Sequence, residues 1–154
     1  MTDARFSARL QPKGKHLGIA RQSAALCYRV REGRLEVLLI TTRKSKRWII
    51  PKGWLIDGLS PSQTAAQEAW EEAGVRGSCA PDPMGRFAHI KSRCAKGPVL
   101  CMVDVFPLYV SSTSASFPER GQRKSKWVSP KKAAGLVNSS ELSQLLRKLG
   151  AILH

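Results

Sequence analysis

Three glutamates, Glu68, Glu71 and Glu72, stand at i, i+3 and i+4 within GWLIDGLSPSQTAAQEAWEEAGV, residues 53–75. On a helix this spacing makes the carboxylates neighbours, and like charges so placed repel by about 0.2–0.5 kcal/mol per pair. All three fall in the C-terminal half of the segment, where the helix dipole disfavours anions. No Lys or Arg lies between Ser60 and Val75 to offset either effect. A hard divalent cation held by carboxylate oxygens, with water and a substrate phosphate completing its shell, would neutralise the cluster. A solvated acidic helix face is the competing reading of the same residues.

The segment that must position these carboxylates carries its own helix signals. Ser60 is suited to the N-cap, Pro61 to the first helical position, and Gln63 completes a Ser-x-x-Gln capping box. Gly74 supplies a C-terminal stop. At about 100° per residue, Ala65, Ala66, Ala69, Trp70 and Ala73 are expected to form an apolar arc with the three glutamates on the opposite side.

The remaining chain reads as mixed secondary structure. Residues 23–31 (SAALCYRVR) and 34–42 (RLEVLLITT) are strand-like runs flanking Glu32 and Gly33, a tight hairpin signal. RKSKRW, residues 43–48, is a basic loop ending in an aromatic; Trp48 to Ile50 reads as a short strand, and Pro51-Lys52-Gly53 as a turn. Residues 81–92 and 96–110 form two further strands, with Val99, Cys101, Val103 and Val105 alternating toward one buried face. His89 fits a packed or hydrogen-bonded strand position. Residues 111–126 make a polar loop containing Glu119, and residues 126–129 a last strand. Two helical patterns close the chain, residues 130–137 and 140–149, the second aligning Leu142, Leu145, Leu146 and Leu149. Strands on both sides of a buried helix, followed by C-terminal helices, indicate an α/β layered domain with a mixed β-sheet.

Composition bounds the possibilities. The 154 residues suffice for one domain, and 26 Lys and Arg against 11 Asp and Glu give a net charge of +15, which favours phosphates or other polyanions as partners. No apolar run approaches the roughly 20 residues needed to cross a bilayer, and the first residues lack the apolar core of a signal peptide, so no membrane association and a cytoplasmic location are expected. Cys27, Cys79, Cys94 and Cys101 show no C-x-x-C pair and read as buried or free thiols. Residues 1–20, with Arg5, Arg9, Lys13 and Lys15 among small and polar residues, read as a flexible basic arm ahead of a single domain over 21–154.

Gly53, Glu68, Ala69, Glu71, Glu72, Gly74 and Val75 together resemble the Nudix box: Gly, five residues, Glu, seven residues, then Arg-Glu-hydrophobic-any-Glu-Glu-any-Gly-hydrophobic. The likeness extends through RWIIPKG (47–53) before the box to KWVSPKKAAGLV (126–137), nearly the whole chain after residue 20. It is most similar to the branch that includes diadenosine polyphosphate and diphosphoinositol polyphosphate hydrolases. Two positions depart from the box: Leu59 stands at its first Glu and Gln67 at its Arg. Gln67, one turn before Glu71, can donate a hydrogen bond but brings no charge.

The resemblance implies a Nudix-like α/β/α sandwich and a metal-dependent phosphoanhydride hydrolase using Mg²⁺ or Mn²⁺. Gly53, Glu68, Glu71 and Glu72 would be the metal site. Glu71, Glu72 or Glu119 would take the proton from the attacking water. Arg43, Arg47, Lys52, Arg93, Lys96 and Arg123 are the candidate phosphate contacts, with Arg43 at the place of a phosphate-binding arginine in similar enzymes. Trp48 or Phe87 could stack a base if the substrate is a dinucleoside polyphosphate. The substrate expected is a phosphorylated small molecule. A non-catalytic Nudix domain that senses nucleotide, polyphosphate or RNA is the alternative, favoured by Leu59 and Gln67 and opposed by the intact glutamates. RNA as the main partner is disfavoured because no aromatic-rich RNA-binding motif is visible.

Overall fold

The computed structural model describes residues 18–91 and 97–153. Two long strands organise it: β1 (Gly18–Arg31) and β7 (Val99–Thr113) run parallel, in register from Gly18 opposite Val99 to Tyr28 opposite Tyr109. Each is longer than any of its antiparallel neighbours, so two of these share its other edge. β1 pairs antiparallel with β4 (Lys52–Trp54) near its start and with β2 (Arg34–Thr41) near its end. β7 likewise pairs with β6 (Gly85–Lys91) and then β5 (Val75–Cys79). The outer edge of β2 carries β8 (Ser125–Val128), while β3 (Trp48–Ile49) pairs with Ile40 and Thr41 on the other edge, beyond the stretch that pairs with β1. Glu32 and Gly33 turn the β1/β2 hairpin with φ of 51° and 76°, the left-handed pair that suits the strand twist.

Alternation along the strands sends side chains to two cores. Ala24, Leu26, Val37, Leu39, Val103 and Val105 face α2 (Pro130–Leu136) and α3 (Ser140–Ile152), meeting Leu142, Leu146 and Leu149. Their neighbours Ala25, Cys27, Leu38, Ile40, Phe106 and Leu108 face α1 (Pro61–Ala73), meeting Ala65 and Ala69. The result is the layered α/β domain with a mixed sheet that the element pattern implied, in the α/β/α sandwich form that the resemblance implied. Cys27 and Cys101 are buried and Cys79 is half-buried, while Cys94 lies outside the described residues.

Some expectations need correction. Residues 51–53 are not simply a turn: Lys52 and Gly53 belong to β4, which hydrogen-bonds along β1. β5 is a strand without a strand-like sequence: VRGSC has little apolar alternation and forms because β7 offers it an edge. The carboxylates of α1 do not all stand opposite the apolar arc. Glu72 is 7% exposed and shares the buried face with Ala65 and Ala69, because seven residues return a helix almost to its starting angle. β1 begins at Gly18, and the preceding part of the expected arm lies outside the described residues. Among the described residues no helix is long and apolar enough to cross a membrane.

Candidate active site

The glutamate helix is held at both ends. At its start Ser60 Oγ accepts from Gln63 N at 3.1 Å while Ser60 N donates to Gln63 Oε1 at 2.8 Å, a reciprocal cap whose loss costs about 1 kcal/mol. At its end Gly74 adopts φ 71°, and a Cβ there would lie 2.4 Å from Phe117 and 2.8 Å from the Ser114 carbonyl oxygen. The loop after β7 therefore packs directly on the helix terminus, with Ser114 N donating to Gly74 O and Glu119 N to Glu71 O. Local capping sets the helix, and the long-range contact delivers Glu119.

Strand β4 brings Gly53 beneath the helix. A Cβ on Gly53 would meet the Glu68 carboxyl at 2.3–2.7 Å, so only glycine lets that carboxyl approach the strand so closely. Its neighbour Lys52 donates its backbone N–H to Glu72 Oε1 at 3.3 Å. Glu68 and Glu72 stand one helical turn apart, close enough for their carboxyls to influence each other's ionisation. Burial is the chief cause that pushes both carboxyls above their ordinary range, Glu72 to about 9, with their mutual contact adding to the rise for Glu72 and Arg123 opposing it. Glu71 is turned aside: Gln67 Nε2 donates to its Oε2 at 2.6 Å, the bond expected from their one-turn separation.

Arg123 enters the cluster from the late loop. Its Nη2 stands 3.1 Å from Glu119 Oε1 and 3.9 Å from Glu72 Oε2, while Nε also donates to Glu119 and Nη1 to the Thr41 carbonyl. With a side chain only 12% exposed, this guanidinium is engaged by protein oxygens. Of the other expected phosphate contacts, Arg43 is exposed and donates to Gln122 of the same late loop at 3.2 Å, and Arg93 and Lys96 lie outside the described residues.

Arg47 and Lys52 line a cleft of about 490 Å³ on the α3 side of the sheet, together with Trp48, Phe87, His89 and Glu141. Lys52 Nζ donates to Gln22 Oε1 at 3.4 Å, and His89 Nε2 lies 3.2 Å from the same oxygen. Burial lowers the pKa of Lys52, and lowers that of His89 to about 4 with help from Lys52 and Lys91, so His89 is neutral near pH 7. Lys52 links the two regions: its backbone bonds a box glutamate and its side chain lines the cleft. Phe87 is a core residue, 1% exposed, and Trp48 is half-buried with Lys126 Nζ 4.4 Å from its ring.

The donors fit a hard cation in part. All are oxygens, the Gly53 cradle opens directly under Glu68, and the buried Ser23 hydroxyl, on the residue paired with Gly53, has no hydrogen-bond partner. Among the described residues no three His, Cys, Asp or Glu side chains form a closed metal cage. Glu71 is drawn to Gln67 and Glu72 to Lys52, so the donor set matches an ion that keeps several waters and a substrate oxygen better than one enclosed by protein. Sequence reasoning missed Gln22, Ser23 and Thr41, because a polar residue within a strand gives no local sign of what the fold places beside it.

A glutamate helix laid over the glycine of a short strand, within an α/β/α sandwich and met by a late loop carrying Glu119, defines a Nudix-type domain. A family profile for the NUDIX domain matches residues 20–148, and the chain belongs to the Nudix family. Nudix hydrolase 13, mitochondrial, of Arabidopsis thaliana is 31% identical over 126 residues, covering 75% of this chain and 62% of that protein. The mouse diphosphoinositol polyphosphate phosphohydrolase 3-alpha is 41% identical over 61 residues, 39% of this chain and 37% of its own. The chain thus spans about three fifths or less of the length of these curated relatives. In fold it is similar to a Caenorhabditis elegans Ap4A hydrolase crystal structure, with a TM-score of 0.64 at 22% identity over 88% of this chain and 99% of that one.

Proposed function

We propose that this domain hydrolyses a phosphoanhydride bond in a polyphosphorylated or nucleoside-diphosphate-linked substrate, with Mg²⁺ or Mn²⁺ as cofactor. The observation that carries the reading is the close stack of Gly53, Glu68 and Glu72, in which glycine admits a carboxyl that a side chain would exclude. Glu68, Glu71 and Glu72, with the Gly53 carbonyl, are the groups that would hold the ion. When bound, the ion supplies Lewis-acid polarisation of phosphoryl oxygens and lowers the pKa of a bound water. Glu71, Glu72 or Glu119 accepts the proton of the attacking water, and no covalent intermediate with the chain is needed. Arg47 and Lys52 take the phosphate charge within the cleft and Arg43 at its loop; Arg93 and Lys96, outside the described residues, are the remaining candidates.

The names of the relatives and of the similar structure motivate dinucleoside polyphosphates and diphosphoinositol polyphosphates as first substrates to test. A metal-dependent hydrolysis screen over these, sugar nucleotides and nucleoside triphosphates, with products identified by mass, decides the substrate. Turnover should require divalent metal and fall by orders of magnitude in Glu72→Gln. Full activity in EDTA would overturn the metal assignment.

A second reading, a Nudix domain that binds nucleotide, polyphosphate or RNA without turnover, is favoured by Leu59 and Gln67. Tight ligand binding with no product from any member of the panel would select it.

A further inference from the structure

The box lacks its arginine, and Gln67 brings a hydrogen bond to Glu71 without a charge. Burying adjacent carboxyls without a compensating cation is costly, so a positive group should come from elsewhere. Among the described residues of the late loop, Arg123 reaches them. Its Nη2 lies 3.9 Å from Glu72 and 3.1 Å from Glu119, and its Nη1 is anchored on the Thr41 carbonyl at 3.1 Å. Two bonds from backbone N–H groups fix the loop that carries it, Glu119 N to the Glu71 carbonyl at 2.9 Å and Lys124 N to the Thr41 hydroxyl at 3.0 Å.

We propose that Arg123 is a positioning residue that supplies, from the β7–β8 loop, the cation missing at position 67, and that it orients Glu72 and Glu119 toward the ion. The planar guanidinium suits the role because its separate N–H groups bond Glu119 and the Thr41 carbonyl while its charge stands 3.9 Å from Glu72, which the single point charge of a lysine cannot do. Gln67 and Arg123 thus divide the cluster: the first holds Glu71 and the second holds Glu72 and Glu119. The assignment replaces the expectation that Arg123 contacts substrate phosphate, since its donors are already directed to protein oxygens. It rests on the metal-site reading above.

The test is Mn²⁺ affinity, measured on the full chain by electron paramagnetic resonance without substrate, so that turnover does not enter. Arg123→Gln should weaken binding by about tenfold, the lower end of what outer-shell partners of a metal site contribute. Gln67→Arg in that background should restore most of the loss, a larger gain than the same substitution gives in the wild type, where the role is already filled. Unchanged or tighter Mn²⁺ binding in Arg123→Gln would overturn the proposal, tighter binding identifying Arg123 as a competitor for the ion. Should Arg123→Gln not fold, Gln67→Arg alone still decides: a tenfold tightening would mean that no cation served this position and would also overturn the proposal. Wild-type protein that binds no Mn²⁺ would overturn the metal-site reading itself, a result distinct from all of these.

Discussion

The Gly53 backbone lies so close to the Glu68 carboxyl that a Cβ on Gly53 would sit 2.3 Å from Glu68 Cδ. That contact joins an edge strand to the glutamate helix. Gly53→Ala should displace the Glu68 side chain rather than unfold the domain, because the obstacle is the end of a flexible chain. Mn²⁺ affinity should fall about tenfold or more while the thermal midpoint changes little, as paired titration and melting experiments would show.

Glu72 joins buried position with chemistry. Its carboxyl is held well above the unfolded value of about 4.5, so its contribution to stability is complete below that pH and is lost as pH rises toward about 9. Metal-free protein should melt at falling temperature across this window, and Glu72→Gln, which keeps the shape without ionising, should flatten the decline. Scanning fluorimetry from pH 5 to 9 in EDTA tests this, and a wild-type curve parallel to the variant's would reject it.

The sign is reversed for His89, whose folded pKa is lowered to about 4 from 6.5. Its contribution is complete above pH 6.5 and is lost as pH falls through 4, because protonation charges a group set among Lys52, Lys91 and apolar neighbours. His89→Gln should reduce the acid dependence of the thermal midpoint in that interval by a few degrees, a modest effect since the ring borders the open cleft.

Asp104 is nearly buried and receives Arg21 at 2.6 Å and Arg86 at 3.0 Å. Removing one partner of a fully buried pair costs about 3–5 kcal/mol, but both arginines are substantially exposed, so Asp104→Asn should cost about 1–2 kcal/mol. Urea denaturation measures this, and Mn²⁺ affinity should be unchanged because these arginines lie outside the glutamate cluster.

Sequence alone determined the local structure of the site: the Ser60/Gln63 cap, the Gly74 stop, the Glu32-Gly33 hairpin turn and the i, i+3, i+4 spacing of the glutamates, each governed by residues within a few positions of one another. The Gln67 to Glu71 bond was legible for the same reason. Tertiary structure decided which carboxyls turn inward, what neutralises them and where the cleft opens. Glu72 is buried because α1 lays that angle of its surface on β1 and β4. Arg123 meets Glu72 because a loop far along the chain folds over the helix end, and Lys52 reaches both glutamate and cleft because β4 pairs with β1. These outcomes depend on register and loop closure between distant segments, to which no run of neighbouring residues testifies.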